Sequence, residues 1–162
     1  MQQAEGDQQK FRAALGRFAT GVTVVVAPSE SGPTAITANS FSSVSLNPPL
    51  VLWSPAKSSR RHDVFCAAAH FSIYVLTADQ THIAQTFARA PFVFDPADWE
   101  VSSNGSLPRL RSFTARFACR RHAVYEGGDH SIILGEVTGF DTKNHAPLMF
   151  LGGKFGDFAQ QL

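Results

Sequence analysis

The sequence predicts a mainly β protein of the α+β class, a six-stranded antiparallel β-barrel with flanking helices. Short runs rich in Val, Ile, Phe and Tyr recur along the chain and are typical of strands. The segments between most of these runs are short and contain Gly, Pro or Asn, which favour antiparallel connections. Helical periodicity is confined to the start and the middle of the chain.

Three helices are predicted from periodicity and capping signals. Phe11, Ala14, Leu15 and Phe18 recur at the spacing of one helix face, with Asp7 as a possible start and Gly21 as a stop. A Ser before an apolar stretch predicts the second helix, and a Thr-x-x-Gln capping box predicts the third. These two helices are predicted from Ser58 or Ser59 to about His70, and from Thr77 to Arg89.

The strands are predicted from β-branched runs and turn chemistry. Residues 34–45 are expected to begin as a strand and continue as an irregular loop, and residues 91–108 form a long loop. The pair Gly127-Gly128 predicts a hairpin turn, because glycine adopts a positive φ without strain. The remaining predicted strands are Val22–Val26, Leu50–Trp53, Phe71–Leu76, Phe113–Tyr125, Ser131–Phe140 and Leu148–Leu151.

Length and charge narrow the class of protein. A chain of 162 residues predicts a flexible tail over 1–9 and one domain over 10–162. The net charge of +1 gives no basic face for nucleic acid. The polar N-terminus lacks a secretory signal, and no apolar run is long enough for a bilayer. Two cysteines in apolar contexts, Cys66 and Cys119, predict reduced thiols and a cytoplasmic location.

The stretch Thr34–Ser45 is the strongest candidate for a binding site. It is uncharged, has Asn39 at its middle, and stands directly before the apolar segment Leu46–Ser54. Such a neutral set of donors suits a phosphate attached to a flat, largely apolar ligand, although the same side chains can simply satisfy loop backbone groups. Lys57–Arg60, at a predicted helix start, favours an anion beside it. The hydroxyl-bearing residues are Thr34, Thr37, Ser40, Ser42, Ser43 and Ser45.

Several chemistries are not supported by the sequence. The chain has no GxGxxG, no GxxxxGK[ST] and no GxSxG motif. Cys66 and His70 could share a helix face, but further ligands at sensible spacing are missing, so no metal site is predicted. In an extended chain Asp129 and His130 point apart, so Asp129 is not expected to orient His130.

Four ordered motifs resemble the short-chain flavin reductases of two-component monooxygenases. They read FRxALGRFATGVTVV from Phe11, TANSFSSVSLNPPLV from Thr37, GDHxIxxGEV from Gly128 and PLxxxxG from Pro147. The resemblance implies a flavin-binding split barrel, usually a homodimer, that reduces FMN or FAD with NADH or NADPH. It also implies that a separate oxygenase receives the reduced flavin. The alternatives are a non-catalytic flavin-binding module and a bound-FMN reductase that acts on another acceptor.

The resemblance also implies a set of site residues. His130 is expected where the nicotinamide stacks, and Phe155, which stands where a tyrosine is common, is expected near it. The segment Thr37–Phe41 is expected along the flavin ring and ribityl chain. The flavin-binding residues that the resemblance implies are Thr37, Ala38, Asn39, Ser40, Phe41, Ser43, Val44, Ser54, Lys57, Ser58, Ser59, Phe87, Ala88 and Phe155.

Overall fold

The computed structural model of the chain describes residues 2–101 and 106–158. Within these ranges the protein is mainly β, with helices at the start and in the middle of the chain, as the sequence predicts. The part of the predicted long loop at 102–105 lies outside the described residues. The helices are α1 (Gln2–Leu15), α2 (His62–Ala67) and α3 (Thr81–Arg89).

Twelve strands are present in the described residues. They are β1 (Thr20–Gly21), β2 (Thr23–Ala27), β3 (Thr34–Ala38), β4 (Ser42–Leu46), β5 (Pro49–Trp53), β6 (His70–Val75), β7 (Trp99–Glu100), β8 (Arg109–Leu110), β9 (Ala115–Gly127), β10 (His130–Thr142), β11 (Leu148–Leu151) and β12 (Lys154–Asp157).

Seven strands form the main sheet in the order β3-β2-β6-β9-β10-β5-β4, and every pairing is antiparallel. Six of the predicted strand segments belong to this sheet, which agrees with the six strands expected for the barrel. The seventh strand is β4, because residues 42–46, expected as irregular loop, pair with β5. The end strands β3 and β4 are not paired with each other, so backbone hydrogen bonds do not close the sheet.

Strand β2 lies inside the main sheet, between β3 and β6, and all five of its residues are buried. Its alternate side chains enter two different cores: Val24 and Val26 pack on one face, and Val25 and Ala27 on the other. The first core contains the buried face of α3, and the second contains Trp53 and Phe65. A strand covered on both faces reads as a continuous apolar run, which is the pattern of Val22–Val26.

Two smaller sheets flank the main one. The order β1-β11-β12 forms a three-stranded sheet, and β7 pairs with β8. The predicted strand Leu148–Leu151 is confirmed as β11. Its partner β12 was not predicted, because Lys154–Asp157 lacks the alternation of a half-buried strand and is exposed throughout. The turn between them has Gly152 at φ 57° and Gly153 at φ 82°, which glycine accommodates.

The first two helices differ from their predictions. Helix α1 begins at Gln2, so most of the predicted tail is helical and Asp7 lies inside the helix, 3.8 Å from the Lys10 ammonium. Helix α2 spans only His62–Ala67, and Ser58 and Ser59 lie in the turn before it. The chain must leave the helix early because His70 already pairs with β9.

Helix α3 begins at Thr81 rather than at the predicted Thr77, but its end is as predicted. It ends at Arg89, and its buried residues are Ile83, Ala84 and Phe87. The Gln80 side chain accepts a hydrogen bond from the Thr77 N–H at 2.9 Å, which is one half of the predicted capping box. The three buried side chains pack in the first core.

The aromatic residues of the long loop mostly pack inside the chain. Trp99 is buried and contacts the Phe87 ring edge-on at 5.5 Å, and Phe94 lies 5.1 Å from both rings. Phe92 is exposed. The loop therefore covers one end of the first core.

Candidate functional site

A cavity of about 230 Å³ lies between the end of β3, the segment after β5 and the start of β10; we call it the hairpin cavity. Trp53, Pro55 and Ala56 complete part of its wall. Distant parts of the sequence therefore meet at one place. The predicted site residues that line it are Thr37, Ala38, Asn39, Ser40, Ser54, Ser59 and His130.

A second cavity, of about 400 Å³, lies beside α3 and the β11–β12 sheet; we call it the helix cavity. Residues 37–39 lie on the walls of both cavities, so the two adjoin along the end of β3. Ala88 and Phe155, both predicted site residues, line the helix cavity. Val22, Gln85, Arg89 and Phe150 also line it and were not predicted.

Hydroxyl groups fix the shape of this region. The Thr37 hydroxyl donates to the Ala84 carbonyl at 2.7 Å and joins β3 to α3. The Ser40 hydroxyl accepts from the Ser54 N–H at 2.9 Å and joins the chain after β3 to the chain after β5. These two hydroxyls therefore satisfy backbone groups, as the second interpretation of the stretch predicts, and they hold the cavity walls together.

Arg61 connects three segments around the cavities. Its guanidinium donates to the carbonyls of Ala35 at 2.9 Å, Phe87 at 2.7 Å and Ala88 at 3.3 Å. The first carbonyl belongs to β3 and the other two belong to the last turn of α3, whose C-terminal carbonyls a cation stabilises. Burial lowers the pKa of Arg61. Arg61 therefore clamps β3 to the end of α3.

The β9–β10 hairpin lies against the segment before α2. The Lys57 N–H donates to the Asp129 carbonyl at 2.9 Å, and Ala56 forms a bridge with His130. The Lys57 ammonium pairs with the Glu126 carboxylate, which lowers the pKa of Glu126. Lys57 was predicted at the phosphate end of a ligand, but its charged group is directed at the hairpin.

The position of His130 corrects one expectation. Its Nδ1 lies 2.8 Å from the Asp129 carboxylate, and the hydrogen bond to His130 lowers the pKa of Asp129. The sequence analysis expected these side chains to point apart as in an extended strand. Asp129 lies instead in the turn, after Gly128 at φ 75°, so strand alternation does not apply to it. Asp129 therefore orients the His130 ring directly.

His62 provides another link to the start of β10. Its Nε2 lies 2.9 Å from the Ser131 hydroxyl and 3.5 Å from the Cys66 sulfur. Cys66 thus faces His62 rather than His70, because α2 ends at Ala67. No group of three or more His, Cys, Asp or Glu residues that could hold a metal is found in residues 2–101 and 106–158.

Both cysteines are free thiols. Desolvation by burial raises the pKa of Cys66, and burial raises the pKa of Cys119 to about 12. Thiols of this kind are protonated near neutral pH and therefore poorly nucleophilic. Nothing in their surroundings assigns them a chemical role.

Several predicted site residues lie away from the two cavities. Phe87 is 1% exposed and belongs to the first core, so its ring is a packing residue. The Phe41 ring stacks on Phe117 at 5.4 Å. Ser43 and Val44 are exposed on β4, the edge strand of the main sheet, and Ser58 is exposed in the turn before α2. Their assignment to ligand binding stays a prediction.

The residues that sequence reasoning missed share no local motif. Gln85 and Arg89 lie on the exposed side of α3, beyond the buried face that helical periodicity predicts. Phe150 belongs to β11, which reaches the helix cavity only through sheet pairing with β1 and β12. Such residues are identified by tertiary structure, because nothing in their sequence neighbourhood distinguishes them from ordinary surface.

Comparison with known proteins defines the class to which this fold and these cavities belong. The model of the flavin reductase like domain family matches residues 15–159. The chain is 52% identical over 155 residues to the FMN reductase (NADH) SmoA of Agrobacterium fabrum, covering 96% of this chain and 88% of that protein. It is 34% identical over 151 residues to the reductase subunit HsaB of a flavin-dependent monooxygenase of Rhodococcus jostii, covering 92% and 77%.

A solved structure gives the same result. The NADH:FAD oxidoreductase SgcE6 of Streptomyces globisporus, in complex with NAD and FAD fragments, superposes with a TM-score of 0.86 at 39% identity. The match covers 95% of this chain and 94% of that one. The protein therefore belongs to the flavin reductase family, and the predicted split-barrel fold and oxidoreductase class are confirmed.

Proposed function

We propose that the protein reduces free FMN or FAD with NADH and that the reduced flavin passes to a separate oxygenase. The observation that carries the proposal is the convergence of residues 37–40, Ser54, Ser59 and His130 on one cavity next to a second, more apolar one. Relatives named as NADH-dependent flavin reductases and as monooxygenase reductase subunits support it.

An unpaired hydrogen-bond donor in the hairpin cavity also supports the binding of a flavin. The Trp53 indole N–H is buried on the wall of the hairpin cavity and has no hydrogen-bond partner among the described residues. A buried donor without a partner costs about 1–3 kcal/mol, and a ligand acceptor removes that cost. The adjoining helix cavity offers the apolar surface of Val22, Ala84 and Phe150, which suits a flat ring system.

A bound flavin supplies the electron chemistry: it accepts hydride from the nicotinamide and later gives both electrons to another acceptor. The residues of the chain bind and orient the flavin and the nicotinamide. Asn39, at the junction of the two cavities, and Ser40, on the wall of the hairpin cavity, are placed to hold the polar edge of the ring. His130, oriented by Asp129 and half-exposed on the hairpin, is placed to position the nicotinamide.

The weak charge of the hairpin cavity supports release of the flavin. Its wall consists of hydroxyl, amide and apolar groups, with His130 as its one ionisable side chain among the described residues. Neutral donors bind phosphate less strongly than paired arginines do. A site of this kind suits a flavin that leaves after each turnover.

The homodimer and the cytoplasmic location predicted from the sequence are also part of this proposal. The apolar face of α1 and the following turn is exposed: Phe11 by 66%, Leu15 by 58% and Phe18 by 77%. A contiguous apolar face of this kind favours an interface between two copies of the chain. Two free thiols suit a reducing compartment. No helix among the described residues is long and apolar enough to span a membrane.

The experiment that tests the proposal is a matrix of initial rates, with FMN and FAD each paired with NADH and NADPH. We expect flavin-dependent NADH oxidation with at least one flavin and a slower reaction with NADPH. A yellow protein that oxidises neither nicotinamide would contradict the proposal and favour a non-catalytic flavin-binding module. Activity that requires a metal complex as acceptor would favour the bound-FMN reductase.

A further inference from the structure

The side chain of His62 joins the start of α2 to the start of β10. Its Nε2 lies 2.9 Å from the Ser131 hydroxyl, and its Nδ1 lies 2.7 Å from the Asp63 carboxylate. Because the carboxylate accepts a hydrogen bond from Nδ1–H, Nε2 accepts one from the Ser131 hydroxyl. The ring is therefore held at both nitrogens, in one fixed orientation.

The contact between the ring and the Ser131 hydroxyl is shielded from water. The His62 side chain is 15% exposed and Ser131 is 4% exposed. The Cys66 sulfur lies 3.5 Å from the same ring nitrogen, but a thiol is a weaker hydrogen-bond partner than a hydroxyl. The bond between His62 and Ser131 is therefore costly to lose, because water has little access to replace the ring.

This contact lies one residue along the chain from His130. Adjacent side chains of a strand point to opposite faces, so a buried Ser131 directs His130 to the other face, where it lines the hairpin cavity. The backbone of the same two residues is attached to the segment before α2. The Ser131 N–H donates to the Pro55 carbonyl at 3.1 Å, and Ala56 forms a bridge with His130. The His62 ring adds a side-chain contact to these backbone contacts.

The residue before His62 holds the opposite wall of the hairpin cavity. Arg61 donates to the carbonyls of Ala35, Phe87 and Ala88, which belong to β3 and α3. The end of β3 carries the wall residues 37 and 38. Two consecutive side chains at the start of α2 therefore attach the wall formed by β3 and the strand that carries His130.

We propose that His62 is a positioning residue for the reaction: through the Ser131 hydroxyl it holds the start of β10 so that His130 meets the nicotinamide. The inference rests on the proposed function, in which His130 positions the nicotinamide. The described walls of the hairpin and helix cavities do not include His62, so its ring acts through Ser131 rather than on a substrate. Loss of the ring should weaken nicotinamide binding and leave the flavin contacts of residues 37–40 in place.

The test compares His62→Leu, which removes both ring nitrogens, with His62→Gln. The glutamine amide stands as many bonds from Cα as Nε2 does, so it can still bond the Ser131 hydroxyl. Ser131→Ala removes the hydroxyl and leaves the ring. The control is His82→Leu, which breaks the 3.0 Å contact of another histidine with Asp98. Steady-state KM values for NADH and FMN are measured for each variant, and thermal unfolding verifies folding.

We expect the KM for NADH to rise about fivefold in His62→Leu and in Ser131→Ala, while the KM for FMN changes less than about twofold. His62→Gln and His82→Leu should both stay within about twofold of the wild type. Equal rises for NADH and FMN would overturn the inference, because His62 would then support the scaffold as a whole. A glutamine variant as impaired as the leucine variant, or an unchanged KM for NADH in His62→Leu, would also overturn it.

A double-mutant cycle tests whether His62 acts through His130. His62→Leu is introduced into His130→Ala, and the KM for NADH is measured in both backgrounds. Substitutions that act through the same contact are not additive, so we expect less than about a twofold further rise in the His130→Ala background. A further rise as large as in the wild-type background would overturn the inference, because His62 would then act on the nicotinamide by another route.

Amide hydrogen exchange gives a measurement without turnover. The Lys57 N–H donates to the Asp129 carbonyl and the Ser131 N–H donates to the Pro55 carbonyl, so both amides report on the attachment of the hairpin. We expect both to exchange at least about tenfold faster in His62→Leu, while the amides of β2 keep their wild-type rates. Unchanged exchange in an active enzyme would contradict this inference alone. Faster exchange in a protein that oxidises no NADH would contradict the proposed function alone.

Discussion

At the scale of single residues, a few side chains shape the cavities by hydrogen-bonding to backbone groups. Arg61 is the strongest case, because one guanidinium donates to carbonyls of both β3 and α3. A lysine carries the same charge but cannot present donors to three separate carbonyls in a fixed plane. Replacing Arg61 with lysine therefore keeps the positive charge but removes the planar arrangement of donors.

We predict that Arg61→Lys raises the KM for flavin about tenfold and lowers the free energy of unfolding by about 2 kcal/mol. The walls formed by residues 37–39 and Ala88 lose their common anchor, while the chemistry of the flavin is unchanged. Steady-state kinetics and urea unfolding measure the two effects. The control Arg120→Gln breaks an exposed ion pair with Glu136 and should leave both the KM for flavin and the free energy of unfolding nearly unchanged. An Arg61→Lys variant as active and stable as the wild type would contradict the clamp.

His130 is predicted to position the nicotinamide rather than to donate an obligatory proton. His130→Ala should raise the KM for NADH about tenfold, equivalent to about 1.4 kcal/mol, and lower kcat only partly. Steady-state kinetics against NADH at saturating flavin measure both constants. Complete loss of hydride transfer in a variant that still binds flavin would instead indicate a direct chemical role.

The residues themselves show which site positions a sequence can predict. Residues 37–40, Ser54, Ser59 and His130 were predicted from motifs that resemble the family, and the structure brings them to one cavity. Phe87 belongs to the same family pattern, but its ring is in the core. A sequence motif identifies an important position, but it does not show whether the side chain packs in the core or binds a ligand. Arg61 was missed because its partners lie 26 and 27 positions away in sequence.

At the scale of elements, the β9–β10 hairpin is the part that positions His130. Its strands pair from Ala115 with Thr142 to Gly127 with His130, so the turn is fixed at the end of a long ladder. The Lys57 N–H and the Ala56–His130 bridge attach the turn to the segment before α2. His130, which we propose positions the nicotinamide, and the candidate phosphate segment therefore belong to one connected unit.

Alanine substitutions at Gly128 and Gly139 test whether the hairpin turn positions His130. Gly128 has φ 75°, a conformation that costs other residues roughly 1–2 kcal/mol, although a Cβ there would meet nothing within 4 Å. Gly128→Ala should therefore lower the free energy of unfolding by about 1 kcal/mol and raise the KM for NADH, because the turn holding Asp129 and His130 shifts. Gly139→Ala is the matched control: its Cβ also meets nothing and its φ is not positive, so it should be neutral. Equal effects of the two changes would contradict the strained-turn argument.

Element boundaries were predictable where local chemistry decides them. Helix α3 and strand β11 follow their sequence signals, and the hairpin turn lies at the predicted glycines. Helix α2 is shorter than its pattern, because pairing of His70 with β9 begins the next strand. Strand β4 reads as a polar loop because it is an exposed edge strand with no buried face to produce alternation. Tertiary pairing, which the local pattern does not contain, set both boundaries.

At the scale of the whole molecule, α1 carries an apolar face that the described chain leaves exposed. Phe94 and Trp99 of the long loop pack inside the chain, so they offer no apolar face for a partner. Phe11, Leu15 and Phe18 are the exposed residues that favour a dimer. A dimer that covers this face would remove it from water.

We predict that Leu15→Asp, Phe18→Asp converts a dimer into a monomer of 17.6 kDa, measured by size-exclusion chromatography with light scattering. Burying two carboxylates at an apolar interface is strongly unfavourable, whereas on an exposed surface they cost little. The control Phe140→Asp changes an exposed aromatic residue on β10 and should leave the mass unchanged. A monomeric wild-type protein would contradict the dimer proposal.

The central claim is that flavin is a substrate that enters and leaves, and one measurement tests it most directly. NADH oxidation by extensively dialysed protein is followed as FMN or FAD is added in increasing concentration. The account predicts almost no oxidation without added flavin and a rate that saturates as flavin is supplied. Protein that keeps one flavin per chain through dialysis, and whose NADH oxidation is indifferent to added flavin, would contradict it.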